Sequence, residues 1–168
     1  MDDRPERSEI SCSLLELKLI PNANIVVHPN GSTSVRLSLK NLGPERAKRV
    51  RVVLDSFIAL TNKRENQAYA AQFTGQRLQV TGKALGFDLN KDEVVEVLLV
   101  RGEKGPAPFF VDGHDKETSE PKSFHTPTGR YQMTVTASSL DGGSHSLVFV
   151  LSRRKNGLLS IKQIQSAP

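Results

Sequence analysis

A chain of 168 residues with a formal charge of +5 and 37% hydrophobic residues is long enough for one well-buried core and too apolar for a disordered tail. Its single cysteine, Cys12, excludes an intrachain disulfide, and with it a disulfide-stapled secreted scaffold. An antibody-type domain, which needs both a disulfide and a packed Trp, is excluded on the same count, because the sequence has no Trp.

With two Tyr and seven Phe, the core has to come mainly from Val, Leu and Ile, residues suited to a pleated, half-buried surface. No apolar run reaches the ~18 residues of a membrane-spanning helix, so no membrane insertion by this chain is expected. Residues 1–13 carry charges of both signs and read as a flexible arm, which argues against a secretory signal. The lone thiol suits a reducing compartment, and a cytoplasmic location is expected for the chain as given. One domain is expected over residues 14–165, with 166–168 as a tail.

In chain order, Leu15, Leu17 and Leu19 alternate with Glu16 and Lys18, the period-two signature of a half-buried strand. Pro21 to Asn24 breaks it, and Ile25 to His28 is a short extended piece. Pro29-Asn30-Gly31-Ser32 then reads as a tight turn, since Asn-Gly tolerates positive φ. Asn30-Gly31-Ser32 also fits a glycosylation acceptor, a reading that the charged N-terminus disfavours. Val35, Leu37 and Leu39 form the next apolar face, closed by Asn41-Leu42-Gly43-Pro44; Val50, Val52 and Leu54 form another. A one-residue slip would drive Arg36, Lys40 or Arg51 into the core, so register is well specified.

The middle is less patterned. Thr61 to Gln67 reads as a polar loop, Ala68 to Phe73 as at most one helical turn, and Arg77 to Val80 as a short edge strand. Val94 to Val100 is a strand, and residues 101–123 read as a long loop rich in Gly, Pro and charge. Tyr131, Met133, Val135 and Ala137 then alternate with polar residues, turn through Asp141-Gly142-Gly143-Ser144, and return as Leu147, Phe149 and Leu151, a hairpin. Leu158 to Ile164 reads as a final extended piece, either an added edge strand or a segment packed back across the sandwich. About seven to nine short strands without a sustained helical period predict an all-β, antiparallel β-sandwich.

Pro127-Thr128-Gly129-Arg130-Tyr131 resembles the turn and strand found late in immunoglobulin-like and fibronectin type III-like domains. The resemblance implies a tyrosine corner at Pro127, Gly129 and Tyr131, with the ring buried and its hydroxyl bonded to the backbone. Asn41-Leu42-Gly43, followed by Ala47 and Val50-Arg51-Val52, is similar to the N-x-G…A-x-x-V-x-V pattern of many bacterial immunoglobulin-like modules. Together these likenesses touch residues 33–152 and imply an immunoglobulin-like sandwich. That fold serves adhesins, sugar binders, receptor modules and assembly domains, so it brings no activity with it.

Motifs of chemistry are sparse. His28, His114, His125 and His145 show no zinc spacing. Asp112, Asp115, Glu117 and Glu120 lack the alternate-ligand pattern of a calcium loop. Nucleophile elbows and phosphate or dinucleotide loops do not occur. Neither catalysis nor a cofactor or metal is therefore expected. The basic residues form two groups, Arg46, Lys48, Arg49 and Arg51, and Arg153, Arg154, Lys155 and Lys162. If folding brings them together they make a patch for a polyanion or partner.

The expected function is a non-catalytic protein-interaction or accessory module, conceivably of a larger or membrane-anchored bacterial protein. Its partner would be another protein, met through an edge strand or the 101–123 loop. A carbohydrate- or polyanion-binding domain is the alternative, weakened by the shortage of aromatics for stacking.

Overall fold

The computed structural model describes residues 14–19, 25–30, 32–71, 74–102, 109–114, 121–126, 129–153 and 159–167. The predicted alternation is most complete in the late hairpin. Tyr131, Met133, Val135 and Ala137 are fully buried on one strand, and Leu147, Phe149 and Leu151 on the next. Successive side chains of a strand point to opposite faces, so each strand contributes one apolar row to a shared interior. Leu17, Leu37, Leu39, Leu54, Phe57 and Leu99 supply the rest of that interior.

The strands of the first half are β1 (Leu15–Leu19), β2 (Ile25–Val27), β3 (Thr33–Asn41), β4 (Ala47–Ala59), β5 (Gln76–Val80) and β6 (Phe87–Leu89). Those of the second half are β7 (Val94–Gly102), β8 (Phe109–His114), β9 (Pro121–Thr126), β10 (Gly129–Ser138), β11 (Ser144–Arg153) and β12 (Leu159–Ala167). One helix, α1 (Lys63–Ala70), follows β4. Hydrogen-bonded neighbours run β1-β3-β7-β8-β5-β4-β10-β11-β12, with β2 on β3, β6 on β4 and β9 on β8. The pairings are antiparallel.

The sheet is barrel-like and does not divide clearly into two layers. β1, at one end of the strand order, comes back against β10 and β11 near the other end. Following the antiparallel pairings around the sheet, β1 and β11 run in the same direction. At that seam the Leu17 N–H donates to His145 Nδ1 at 2.9 Å. An edge N–H that would otherwise be left dry thus finds an acceptor. No helix among the described residues is long and apolar enough to cross a membrane.

Nine strands form the path of the sheet, as expected, with β2, β6 and β9 beside it, and two segments differ from their sequence reading. Residues 101–123 are not one long loop: β8 and β9 form a hairpin, with Phe110 opposite His125 and His114 opposite Pro121. Pro121 takes the first position of its strand, where a missing N–H costs little. The hairpin docks on β5 and β7, and such non-local pairing overrides weak local β-propensity. Thr61 to Gln67 is not a loop throughout, since α1 starts at Lys63. The helix has good helix formers but buries only Asn66 and Ala70 among its described side chains, so no apolar stripe announced it. Gln67 holds it to the end of β4, accepting from the Ala59 N–H at 2.8 Å and donating to the Phe57 carbonyl at 3.2 Å.

Two smaller differences follow from topology. β5 is interior, flanked by β4 on one side and by β7 and β8 on the other, so it is no edge strand. β12 continues to Ala167, through the first two residues of the expected tail.

Gly129 sits where β10 leaves its turn, with φ at +154°. A Cβ there would lie 2.7 Å from Thr61 Oγ1 and 2.9 Å from Asn66 Nδ2, too close for either atom. That closeness lets Thr61 Oγ1 accept from the Arg130 N–H at 2.9 Å, while the Leu60 N–H donates to the Arg130 carbonyl at 2.8 Å. Tyr131 is fully buried, its ring centroid 5.0 Å from that of Phe57. Pro127 lies outside the described residues. Gly129→Ala is expected to lower unfolding free energy by about 3 kcal/mol in denaturant titration. Gly142→Ala, at φ +92° but with open space around it, is expected to cost only about 1 kcal/mol. Equal costs would show that crowding at Gly129 is unimportant.

Candidate interaction surfaces

The first basic group lies at the start of β4, on a β-bulge. Ala47 pairs with Leu89 and Val50 with Phe87, so two residues of β4 stand opposite a shortened partner interval. Lys48 and Arg49 are consecutively exposed, and Arg49 takes φ +48°, an unusual value for a side chain of its size. Asp88 fixes this geometry. Its Oδ1 accepts from the Arg49 N–H at 2.9 Å, and its Oδ2 lies 3.0 Å from the Arg46 guanidinium. Arg46 is therefore partly neutralised, whereas Lys48, Arg49 and Arg51 project to solvent.

Of the second basic group, the described residues give the backbone level of Arg153 and the place of Lys162. Arg51 is level with Ser138, and Arg153 is level with Gly129. The whole ten-residue length of β10, roughly 30 Å, separates the two levels. Arg154 and Lys155 lie outside the described residues, and Lys162 is exposed on β12 opposite Val150.

A cleft that the sequence did not signal opens beside the bulge. β5 starts on β4, where Val53 pairs with Arg77, but by Gln79 and Val80 it pairs with β7. As it crosses, β5 diverges from the Val50–Val52 stretch of β4 and leaves a wedge between them. Residues 83–87 form the third wall, and the open cleft has a volume of about 190 Å³. Val52, Leu78 and Val80, buried in the protein core, line its depth. Arg51, Arg77 and Lys83 line it as well, and among the described residues no carboxylate does.

Lys83 is already engaged. Its Nζ is 2.6 Å from Glu93 Oε1 and 5.9 Å from the centroid of the Phe87 ring. The Lys83 hydrogen bond, then the Asn90 N–H donating at 2.8 Å, hold the Glu93 carboxyl below the usual glutamate range, against a smaller opposing effect of burial. This pair joins the 81–86 connection to the turn before β7. Arg51 and Arg77 have no ion-pair partner among the described residues.

The histidines are dispersed. His28 Nε2 is 3.1 Å from Ser34 Oγ, His145 closes the β1 seam, and His114 and His125 belong to the β8–β9 hairpin. Asp115, Glu117 and Glu120 lie outside the described residues. Among the described residues, no three His, Cys, Asp or Glu side chains converge.

Comparison with protein-family models, curated proteins and solved structures finds no match to this chain.

The lowered Glu93 pKa fixes the sign of a pH effect. A carboxylate favoured in the folded state adds stability above its ordinary value of 4.5 and loses that contribution as pH falls through its folded value. Glu93→Gln is therefore expected to be less stable than the parent at pH 7, with the gap closing on acidification below 4.5. Thermal unfolding across this range checks it, and a gap independent of pH would contradict it.

Proposed function

We propose that this chain is a non-catalytic protein-interaction module of immunoglobulin-like architecture, and that β12 is the edge it offers to an extended partner segment. The architecture is supported by strand order. The groups β1-β3-β7 and β4-β10-β11 correspond to the A-B-E and C-F-G orders of an immunoglobulin-like sandwich. In this reading β5 bridges the two groups, and the bridging gives the sheet its barrel-like closure. The buried Tyr131 near the start of β10 occupies the position expected of a tyrosine corner.

The observation that carries the interaction reading is the outer edge of β12. This nine-residue strand ends the sheet order and is bonded to β11 on one side. Lys162 is its only charged residue, and Ser160, Lys162, Gln163 and Ile164 are exposed, Ile164 by 53%. Natural sheets usually shorten, charge or cover an edge of this length. An extended peptide added here would gain a ladder of backbone hydrogen bonds, with selectivity supplied by alternate side chains. A second reading, capture of a polyanion, is favoured by the exposure of Lys48, Arg49 and Arg51 at the bulge.

Proline substitutions separate these readings. Lys162 and Gln163 are consecutive, exposed and in register with Val150 and Phe149, so one directs its N–H toward β11 and the other outward. Of Lys162→Pro and Gln163→Pro, one should destabilise the strand. The other should keep the parental melting temperature yet lose at least about tenfold in affinity for nine-residue peptides selected from a displayed library. Full binding by the stable variant would contradict strand addition. Loss confined to a Lys48→Ala, Arg49→Ala, Arg51→Ala triple variant would move the interface to the bulge.

A further inference from the structure

The wedge between β4 and β5 has a chemistry that neither the strand edge nor the bulge explains. We infer that it is a binding site for a small carboxylic acid with an apolar tail, its carboxylate held by Arg51 and Arg77 and its tail lodged against Leu85 and Phe87.

The argument begins with the backbone. On the edge of β4 that faces the wedge, Val50 pairs with Phe87 and Val53 with Arg77, and among the described residues Arg51 and Val52 have no strand partner on that side. β5 likewise leaves β4 after Arg77 and turns to β8 and β7. Two diverging strands in a continuous sheet open a gap into the core, and here the gap keeps a volume of about 190 Å³ rather than being filled by side chains. Protein interiors are normally packed without voids of this size.

The lining decides what the gap accepts. Leu85 and Phe87 are its part-exposed apolar lining, with the buried Val52, Leu78 and Val80 beneath, so an apolar group bound there loses contact with water. Arg51 and Arg77 come from the two strands that diverge, and neither has an ion-pair partner among the described residues. Lys83 stands on the third wall with its charge matched by Glu93. The net field of the lining is therefore positive and comes from two guanidinium groups, which match the paired oxygens of a carboxylate. Small-molecule sites usually combine apolar lining with a few convergent polar groups that fix the ligand's orientation. The same lining disfavours a large polyanion, which could reach the cations but not the apolar depth.

This site is independent of the β12 reading, and its test leaves β12 untouched. The full chain is titrated with hexanoate, hexanol and inorganic phosphate while backbone amide shifts are followed by NMR. Hexanoate should bind at least about tenfold more tightly than either hexanol or phosphate, because only it uses both parts of the site. Shifts should concentrate at Arg51, Val52 and Leu78 to Val80. Arg51→Gln and Arg77→Gln should each weaken hexanoate by about tenfold. Ala84→Trp, an exposed position on the lining, should close the mouth and abolish binding without unfolding the protein. Hexanol or phosphate binding as tightly as hexanoate overturns the proposal. So does indifference to the arginine changes in folded variants, or hexanoate binding that survives Ala84→Trp.

Discussion

The end of the molecule that carries the bulge and the cleft depends on one buried side chain, Asn41. It is fully inaccessible to solvent, and a buried amide without partners would cost several kcal/mol, so its surroundings must satisfy it. They do so from two segments, and the Asn41 backbone reaches a third. Asn41 Nδ2 donates to the Glu45 carbonyl at 2.7 Å and the Leu89 carbonyl at 3.0 Å, and Oδ1 accepts from the Gly43 N–H at 2.9 Å. Its backbone N–H reaches the Glu93 carbonyl at 3.3 Å, and its own carbonyl accepts from the Asp92 N–H at 2.9 Å. The turn after β3, strand β6 and the turn before β7 are thereby fixed to one residue.

The consequences pass outward from that residue. With Leu89 held, β6 lies against the start of β4, where Asp88 takes the Arg49 N–H that the bulge frees. With the 90–93 turn held, Glu93 is placed to meet Lys83, and the 83–87 wall of the cleft stands against Val50. The other end of the barrel is secured differently, by the fit of Gly129 against Thr61 and Asn66 and by the hold of Gln67 on β4. Neither end relies on a disulfide. Hydrogen bonds from buried or half-buried amide side chains do that work, and they are as sensitive to geometry as they are to chemistry.

Much of this was legible in the sequence, for an identifiable reason. β1, β3, β4, β7, β10 and β11 each have one apolar row, and period-two patterning reports such rows directly. Asn41-Leu42-Gly43 was noticed as a motif, and its meaning proved to be the amide hub rather than a turn signal alone. α1 and the β8–β9 hairpin were missed because the first lacks an apolar stripe and the second depends on pairing with distant β5 and β7. Arg51 was singled out as a cation, but its companion Arg77 was not, since only the crossing of β5 brings them to one cleft. Only the β10 register shows how far along the sheet the backbone of Arg153 stands from that of Arg51.

Native-state amide hydrogen exchange of the parent and of Asn41→Ala tests most directly whether one side chain organises this end. The amides of Gly43 and Asp92, bonded respectively to the Asn41 side chain and backbone, should exchange at least about tenfold faster in the variant, relative to those of Met133 and Val135 in β10. The Arg49 amide should follow them, because Asp88 reaches it only while β6 is held. A uniform loss of protection across both ends, or unchanged protection at Asp92 and Arg49, would contradict the account.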